Sequence, residues 1–138
     1  TKNWKVRRRL KCPDPYRRWY ETGIAIDALE RKIDFEYEQH HLNYIQPAVV
    51  RKYKPDFFVR TKSGKLIIVE AKGRFTAADR KKMCLIHEQN PELDVRMLFE
   101  RDNKLTKAKG SKTYTQWCAK KGIACAVGHT IPEEWINE

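Results

Sequence analysis

Three residues with chemistry to offer stand close together in the stretch PDFFVRTKSGKLIIVEAK: Asp56, Glu70 and Lys72. They flank two short apolar runs, Phe57 to Val59 and Leu66 to Val69, separated by Thr61-Lys62-Ser63-Gly64, which reads as two strands and a tight hairpin turn. With Lys62, Ser63 and Gly64 as a three-residue loop and Gly64 in its left-handed position, Thr61 pairs with Lys65 and Asp56 falls opposite Glu70. Alternation along a strand puts Glu70 and Lys72 on one face, Val69 and Ala71 on the other. Opposed residues have β-carbons roughly 4.5 to 5.5 Å apart, so two carboxylates placed there repel unless a cation sits between them. A divalent metal such as Mg²⁺ takes one or two carboxylates and completes its shell with waters and phosphate oxygens. With a neighbouring lysine to hold or deprotonate water and to steady charge on a phosphorane, this is apparatus for phosphodiester hydrolysis. The plainer reading is a strand start after Pro55 and an exposed Glu-x-Lys ion pair of little energetic weight.

The elements that must position this patch can be read from either side of it. Before it, Trp19 to Lys32 has helical periodicity, with Tyr20, Ile24 and Ala28 on one stripe and Ile26 and Leu29 broadening it. Glu21 lies at the edge of that stripe, either aimed toward the sheet or acting as an acidic charge at a helix N-terminus. IDFEYE, from Ile33 to Glu38, alternates as a strand does, and the segment around Pro47 reads as an extended connector or an edge strand. Because such a connector can reach a partner, it is also a candidate dimer bridge.

After the hairpin, Thr76 and Asp79 form a capping-box pattern for a helix from about Ala77 to Gln89, with Ala78, Leu85 and Ile86 inward and Asn90-Pro91 ending it. LDVRMLF, Leu93 to Phe99, is an apolar strand within the sheet. Ser111 is placed to cap a helix carrying Tyr114, Trp117 and Cys118 inward and stopping at Gly122; a last strand at Ile123 to Val127 and a short turn opened by Pro132 follow. Alternating helices and strands predict an α/β fold with a mixed sheet of about five strands covered on both faces.

Composition says what the fold acts on. With 138 residues the chain is one domain's worth, and its net charge of +11 comes from 29 Lys and Arg against 18 Asp and Glu. Basic residues recur along the whole chain, which points to a polyanion as partner. No run of eighteen or more apolar residues and no signal-peptide pattern is present, so an intracellular, non-membrane protein is expected. Cys12, Cys84, Cys118 and Cys125 lack Cys-x-x-Cys spacing, and His40 and His41 lack metal-site spacing, so structural zinc is not expected.

Candidate phosphate contacts are an N-terminal arm, 1–18, with Arg7, Arg8, Arg9, Lys11, Arg17 and Arg18 interleaved with Trp4 and Tyr16, and the loop bearing Lys104, Lys107, Lys109 and Lys112. Lys52, Lys54, Arg74, Arg80 and Lys81 complete the set. A solvated terminus and a solvated loop are the alternatives for the first two.

Glu21, Asp56 and Glu70-Ala71-Lys72, together with FEYE, PDF, VEAKG, DRKKMCLIHEQNPELDVRMLF and IPEEWI, resemble the bacteriophage endonuclease I family of Holliday junction resolvases, within the PD-(D/E)xK nuclease superfamily. The similarity runs through nearly everything after Glu21; the hairpin between Asp56 and Glu70 is longer than the family form, and the Arg-rich start does not align clearly. The resemblance implies a restriction-endonuclease-like core in an intertwined, domain-swapped homodimer: a single nuclease domain, 19–138, with 19–43 exchanged, 44–52 bridging and 53–138 as catalytic core. It implies Glu21, Asp56, Glu70 and Lys72 as catalytic residues, Glu21 serving the other subunit's site, and Asp56, Glu70 and the Ala71 carbonyl as metal ligands. Mg²⁺ would be the cofactor, with Mn²⁺ substituting and no small-molecule cofactor, and four-way junctions and other branched or mismatched DNA the substrates, in the host bacterial cytoplasm. Alternatives are a sequence- or mismatch-specific nicking endonuclease of the same fold, or a non-catalytic architectural DNA-binding protein.

Overall fold

The computed structural model describes residues 12–46 and 49–138; Arg7, Arg8, Arg9 and Lys11 of the expected arm lie outside them. Along the chain come α1 (Trp19–Glu30), β1 (Asp34–Tyr37), β2 (Leu42–Gln46), β3 (Val49–Tyr53), β4 (Phe57–Arg60), β5 (Leu66–Lys72), α2 (Ala77–Gln89), β6 (Val95–Phe99), α3 (Tyr114–Lys121), β7 (Cys125–Val127) and α4 (Glu133–Ile136). The main sheet has five strands in the order β1-β4-β5-β6-β7. Its first three strands run antiparallel, while β5, β6 and β7 are parallel, joined by α2 and α3 as crossovers. The α/β class and the mixed sheet are as expected.

Both faces of the sheet are covered. Ile67, Val69 and Ala71 of β5 pack with Phe57 and Val59 of β4 against Ile24, Ala25 and Ala28 of α1 and Trp135 of α4. Ile68 points the other way, into a cluster with Met97 and Phe99 of β6, Met83 and Ile86 of α2, and Tyr114 and Cys118 of α3. Apolar runs on β5 and β6, rather than alternation, follow from this double burial.

Several local expectations change. Ile26 and Leu29 do not broaden the buried stripe of α1: they are 50% and 62% exposed, and the inward face is Glu21, Thr22, Ile24, Ala25 and Ala28. On α2 the buried residues are Met83 and Ile86, whereas Ala78 is exposed and Leu85 half-buried, because the helix meets the sheet along a narrower stripe. Ser111 caps no helix; Thr113 does, its hydroxyl accepting from the Gln116 amide. Leu93 precedes the strand, which begins at Val95.

Arg96, within an all-buried strand, is satisfied by Asp94 and Glu138 at 2.6 to 2.8 Å. The segment read as connector or edge strand forms a separate two-stranded antiparallel sheet, β2 with β3, registered Leu42↔Tyr53 and Tyr44↔Arg51. All four cysteines are free thiols. Among the described residues no helix is long and apolar enough to cross a membrane.

Candidate active site

The β4–β5 hairpin sets the register of the site. Gly64 takes φ +87°, and Thr61 and Lys65 close the loop through a 2.9 Å bond from the Thr61 amide to the Lys65 carbonyl. Only glycine adopts that backbone without strain, which makes the three-residue loop the favoured one. Phe57 then pairs with Val69, and the next position outward sets Asp56 opposite Glu70, as expected. Proline before Asp56 ends the ladder there, since Pro55 has no amide to donate.

At this open end the polar groups turn on one another. Asp56 Oδ2 accepts the Ala71 amide at 2.9 Å, and the Asp56 amide donates to Glu70 Oε2 at 3.4 Å. The Tyr53 hydroxyl donates to the same Glu70 oxygen at 2.8 Å. Lys72 Nζ stands 3.8 Å from Glu70 Oε1 and 3.3 Å from Asp79 Oδ1. Glu21, in the first turn of α1, is 2% exposed and faces the same place, and one oxygen each from Glu21, Glu38 and Asp56 lie within 4.8 Å of one another. The structure thus brings Glu21, Asp56, Glu70 and Lys72 together in one chain, with Glu21 meeting its own chain's Asp56.

Charge at this spot is poorly balanced. Burial first, and then the negative charge of Glu70, push the Asp56 carboxyl up to about 9. Burial also raises Glu70, against the pull of the Lys72 ammonium and the Tyr53 hydrogen bond. Buried carboxyls whose charged form is disfavoured in this way would be stabilised in that form by an arriving cation. The donor set agrees: carboxylate oxygens and the Ala71 carbonyl are hard oxygen ligands, which suit Mg²⁺ or Mn²⁺ and not a thiophilic ion.

Glu21, Glu38, Asp56, Glu70 and Lys72 line a cleft of about 400 Å³ whose walls also include Arg17, Arg18, Lys52, Lys54 and Lys82. Arg17 and Lys54 both pair with Glu38 at 3.3 Å. Lys82 lies over the Tyr53 ring at 4.8 Å. A second cleft, of about 700 Å³, gathers Arg74, Arg80, Lys104 and Lys107 beside Phe75 and Tyr114. Its lysine loop is anchored, with the Leu105 amide on the Lys112 carbonyl and Thr115 on Asp102. Lys81 sits instead in a groove with Tyr44 and Arg51, and Lys109 and Lys112 are simply exposed.

Four residues at the site were not anticipated in these roles: Tyr53, Glu38, Lys82, and Asp79 as more than a helix cap. Glu38 continues the acidic alternation of IDFEYE, a signal available in the sequence. Its left-handed φ of 52°, which turns it into the cleft, has no sequence mark because the residue is not glycine. Tyr53 lies three positions ahead of Asp56, but its reach to Glu70 depends on how β3 packs across the hairpin.

Similarity to known proteins extends along nearly the whole chain. The profile of the family described as Phage endonuclease I matches residues 3–138. Over 124 residues the chain is 40% identical to Endonuclease I of Escherichia phage T7, covering 89% of this chain and 79% of that protein. It is 37% identical to Endodeoxyribonuclease 1 of Enterobacteria phage T3, also over 124 residues, covering 89% and 78% respectively. With the family profile matching residues 3–138 and two relatives 40% and 37% identical over 124 residues, the chain belongs to the phage endonuclease I family.

Proposed function

We propose that this protein is a divalent-metal-dependent endodeoxyribonuclease that resolves four-way junctions and cuts other branched or mismatched DNA. The observation that carries this reading is the set of Asp56, Glu70, Ala71 and Lys72 at the end of one hairpin, inside a cleft walled by arginine and lysine. The names of the T7 and T3 relatives support DNA endonuclease chemistry.

Asp56, Glu70 and the Ala71 carbonyl would hold the ion, Mg²⁺ by preference with Mn²⁺ able to replace it, and Glu21 would close the set from α1. A bound divalent ion supplies Lewis-acid charge beside the scissile phosphate. Lys72, anchored between Glu70 and Asp79, would hold the attacking water or offset the charge that develops on the phosphate. Tyr53 keeps Glu70 Oε2 turned toward the hairpin end. Lys52, Lys54 and Arg17 at the rim would contact the strand backbone, and the second basic cleft another arm, reading shape and phosphate rather than base edges.

The working unit in this reading is a domain-swapped homodimer. Residues 19–43 would pass to the partner through a bridge at 44–52, leaving 53–138 as catalytic core, so that each contact Glu21 makes with its own Asp56 is made across subunits instead. Ile45 and Val50, 58% and 71% exposed on β2 and β3, support a covered surface at that bridge. Two sites related by a two-fold axis suit paired cuts in strands of equal polarity.

The test is cleavage of a labelled four-way junction beside a linear duplex of the same sequence, with Mg²⁺ and then with EDTA. Metal-dependent paired cuts near the branch, with the duplex spared, are expected. Equal cutting of the duplex leaves a nicking endonuclease, and binding without cleavage leaves an architectural protein.

A further inference from the structure

Helix α1 starts at a residue unsuited to capping. An N-cap side chain ordinarily offers an oxygen to the first free amides, and arginine has no acceptor. At Arg18 the bond runs the other way: its backbone amide donates to Glu21 Oε2 at 3.1 Å. Any residue but proline could supply that amide, so the helix start leaves the Arg18 side chain unexplained.

The guanidinium is turned into the cleft. Its Nη2 donates to the Ala71 carbonyl oxygen at 3.1 Å and lies 3.6 Å from Glu21 Oε1. Both oxygens belong to the set assigned above to the divalent ion. The Arg18 side chain is 47% exposed against 3% for Glu21, so a solvent-facing cation rests on fixed, buried oxygens. Arg17 takes no part in this, being paired with Glu38.

A guanidinium and a divalent ion answer the same need, positive charge against convergent oxygens, and two cations drawn to the same carbonyl and carboxylate oxygens repel each other at so short a range. We propose that Arg18 is an internal counter-cation, filling the ion's place at the Ala71 carbonyl and Glu21 until an ion binds, and then swinging out. The proposal rests on the metal-site reading given above. It assigns Arg18 two effects of opposite sign: it steadies the metal-free protein and it weakens the apparent affinity for the ion. A side chain that merely packs at the helix start would steady both forms alike and leave affinity untouched.

The test is Mn²⁺ binding, followed by calorimetry and by the loss of the free-ion paramagnetic resonance signal, on the full chain as wild type, Arg18→Ala, Arg18→Gln and Asp56→Asn. Removing the competing cation is expected to tighten Mn²⁺ binding about tenfold, as for a protein freed of a conformation that occludes its site about nine-tenths of the time. Melting in EDTA should occur at a lower temperature in Arg18→Ala than in wild type, with the gap closing at saturating Mn²⁺. Arg18→Gln, which keeps most of the side chain's length without its charge, reads the same quantities should Arg18→Ala not fold. Asp56→Asn should lose binding, tying the signal to this site. Wild type that binds Mn²⁺ while the folded Arg18 variants bind it no more tightly overturns the counter-cation and leaves the metal site standing. Wild type and Arg18 variants that all fail to bind Mn²⁺ overturn the metal site, and the counter-cation with it.

Discussion

Lys72 Nζ lies 3.3 Å from Asp79 Oδ1, while the other oxygen of the same carboxylate accepts from the amide and hydroxyl of Thr76 at 2.9 Å. One side chain therefore closes the first turn of α2 and anchors the lysine of the candidate site. Burial disfavours its charge, but the hydrogen bonds from Thr76 and the Lys72 ammonium outweigh it and hold Asp79 below the usual carboxylate range. Asp79→Asn keeps an acceptor for the cap and gives up the charge facing Lys72. Junction cleavage should slow about tenfold or more, with a stability cost of about 1 kcal/mol or less. Single-turnover rates and thermal melts on one preparation separate the two effects.

Lys72→Ala should leave junction binding nearly unchanged and lower cleavage about 10²–10⁴-fold, the range for a positioned charge or proton-transfer group. Gel-shift titration in Ca²⁺ and cleavage in Mg²⁺ measure the two separately. Turnover close to wild type would remove Lys72 from the mechanism.

The Asp56 carboxyl gives the metal-free protein a definite pH dependence. Unfolded, it ionises near its ordinary value of 3.8; folded, it keeps its proton to about 9. Between those values the native state binds more protons than the unfolded one, so this group's contribution to stability is fully present below 3.8 and is lost as pH rises toward 9. In EDTA, wild type should therefore lose more melting temperature between pH 5 and 9 than Asp56→Asn, in which an amide oxygen can still accept the Ala71 amide. Parallel curves for the two proteins would show that Asp56 does not titrate there. Because an entering ion must displace that proton, Mn²⁺ affinity should rise with pH across the same interval.

Tyr53→Phe deletes the 2.8 Å bond to Glu70 and little else, as the ring is buried and its shape is kept. A stability change of about 1 kcal/mol is expected. Glu70 then loses the donor that fixes its Oε2, so Mn²⁺ binding should weaken severalfold; calorimetry with the variant checks this.

Replacing Arg74, Arg80, Lys104 and Lys107 with alanine should weaken junction binding and flatten its salt dependence, the log–log slope falling by about 0.9 for each phosphate no longer neutralised. The rate at saturating enzyme should change much less, since none of the four lines the catalytic cleft. An unchanged slope would mean that the second cleft does not meet DNA.

Local rules made much of the hairpin legible in advance. A three-residue loop with glycine at its last position leaves one good register, and side-chain alternation then places Asp56, Glu70 and Lys72 without any long-range information. The capping box at Thr76 and Asp79 and the glycine stop at Gly122 were readable for the same reason, each being a matter of neighbouring residues. Helix faces were read less well. Ile26 and Leu29 are as apolar as Ile24, yet α1 lies against the sheet along Glu21, Ile24, Ala25 and Ala28, and small side chains let it approach closely there.

By itself, then, the order of residues determined the hairpin, the α/β alternation and the basic character that suits a polyanion, because strand period, turn chemistry and net charge are local or additive. Only the tertiary structure decided that Glu21 reaches Asp56, that Tyr53 holds Glu70, that Glu38 turns into the cleft and that the Arg18 guanidinium rests on the Ala71 carbonyl. Each of these depends on segments distant along the chain being packed against one sheet end, where exclusion of water makes every unpaired charge seek a partner.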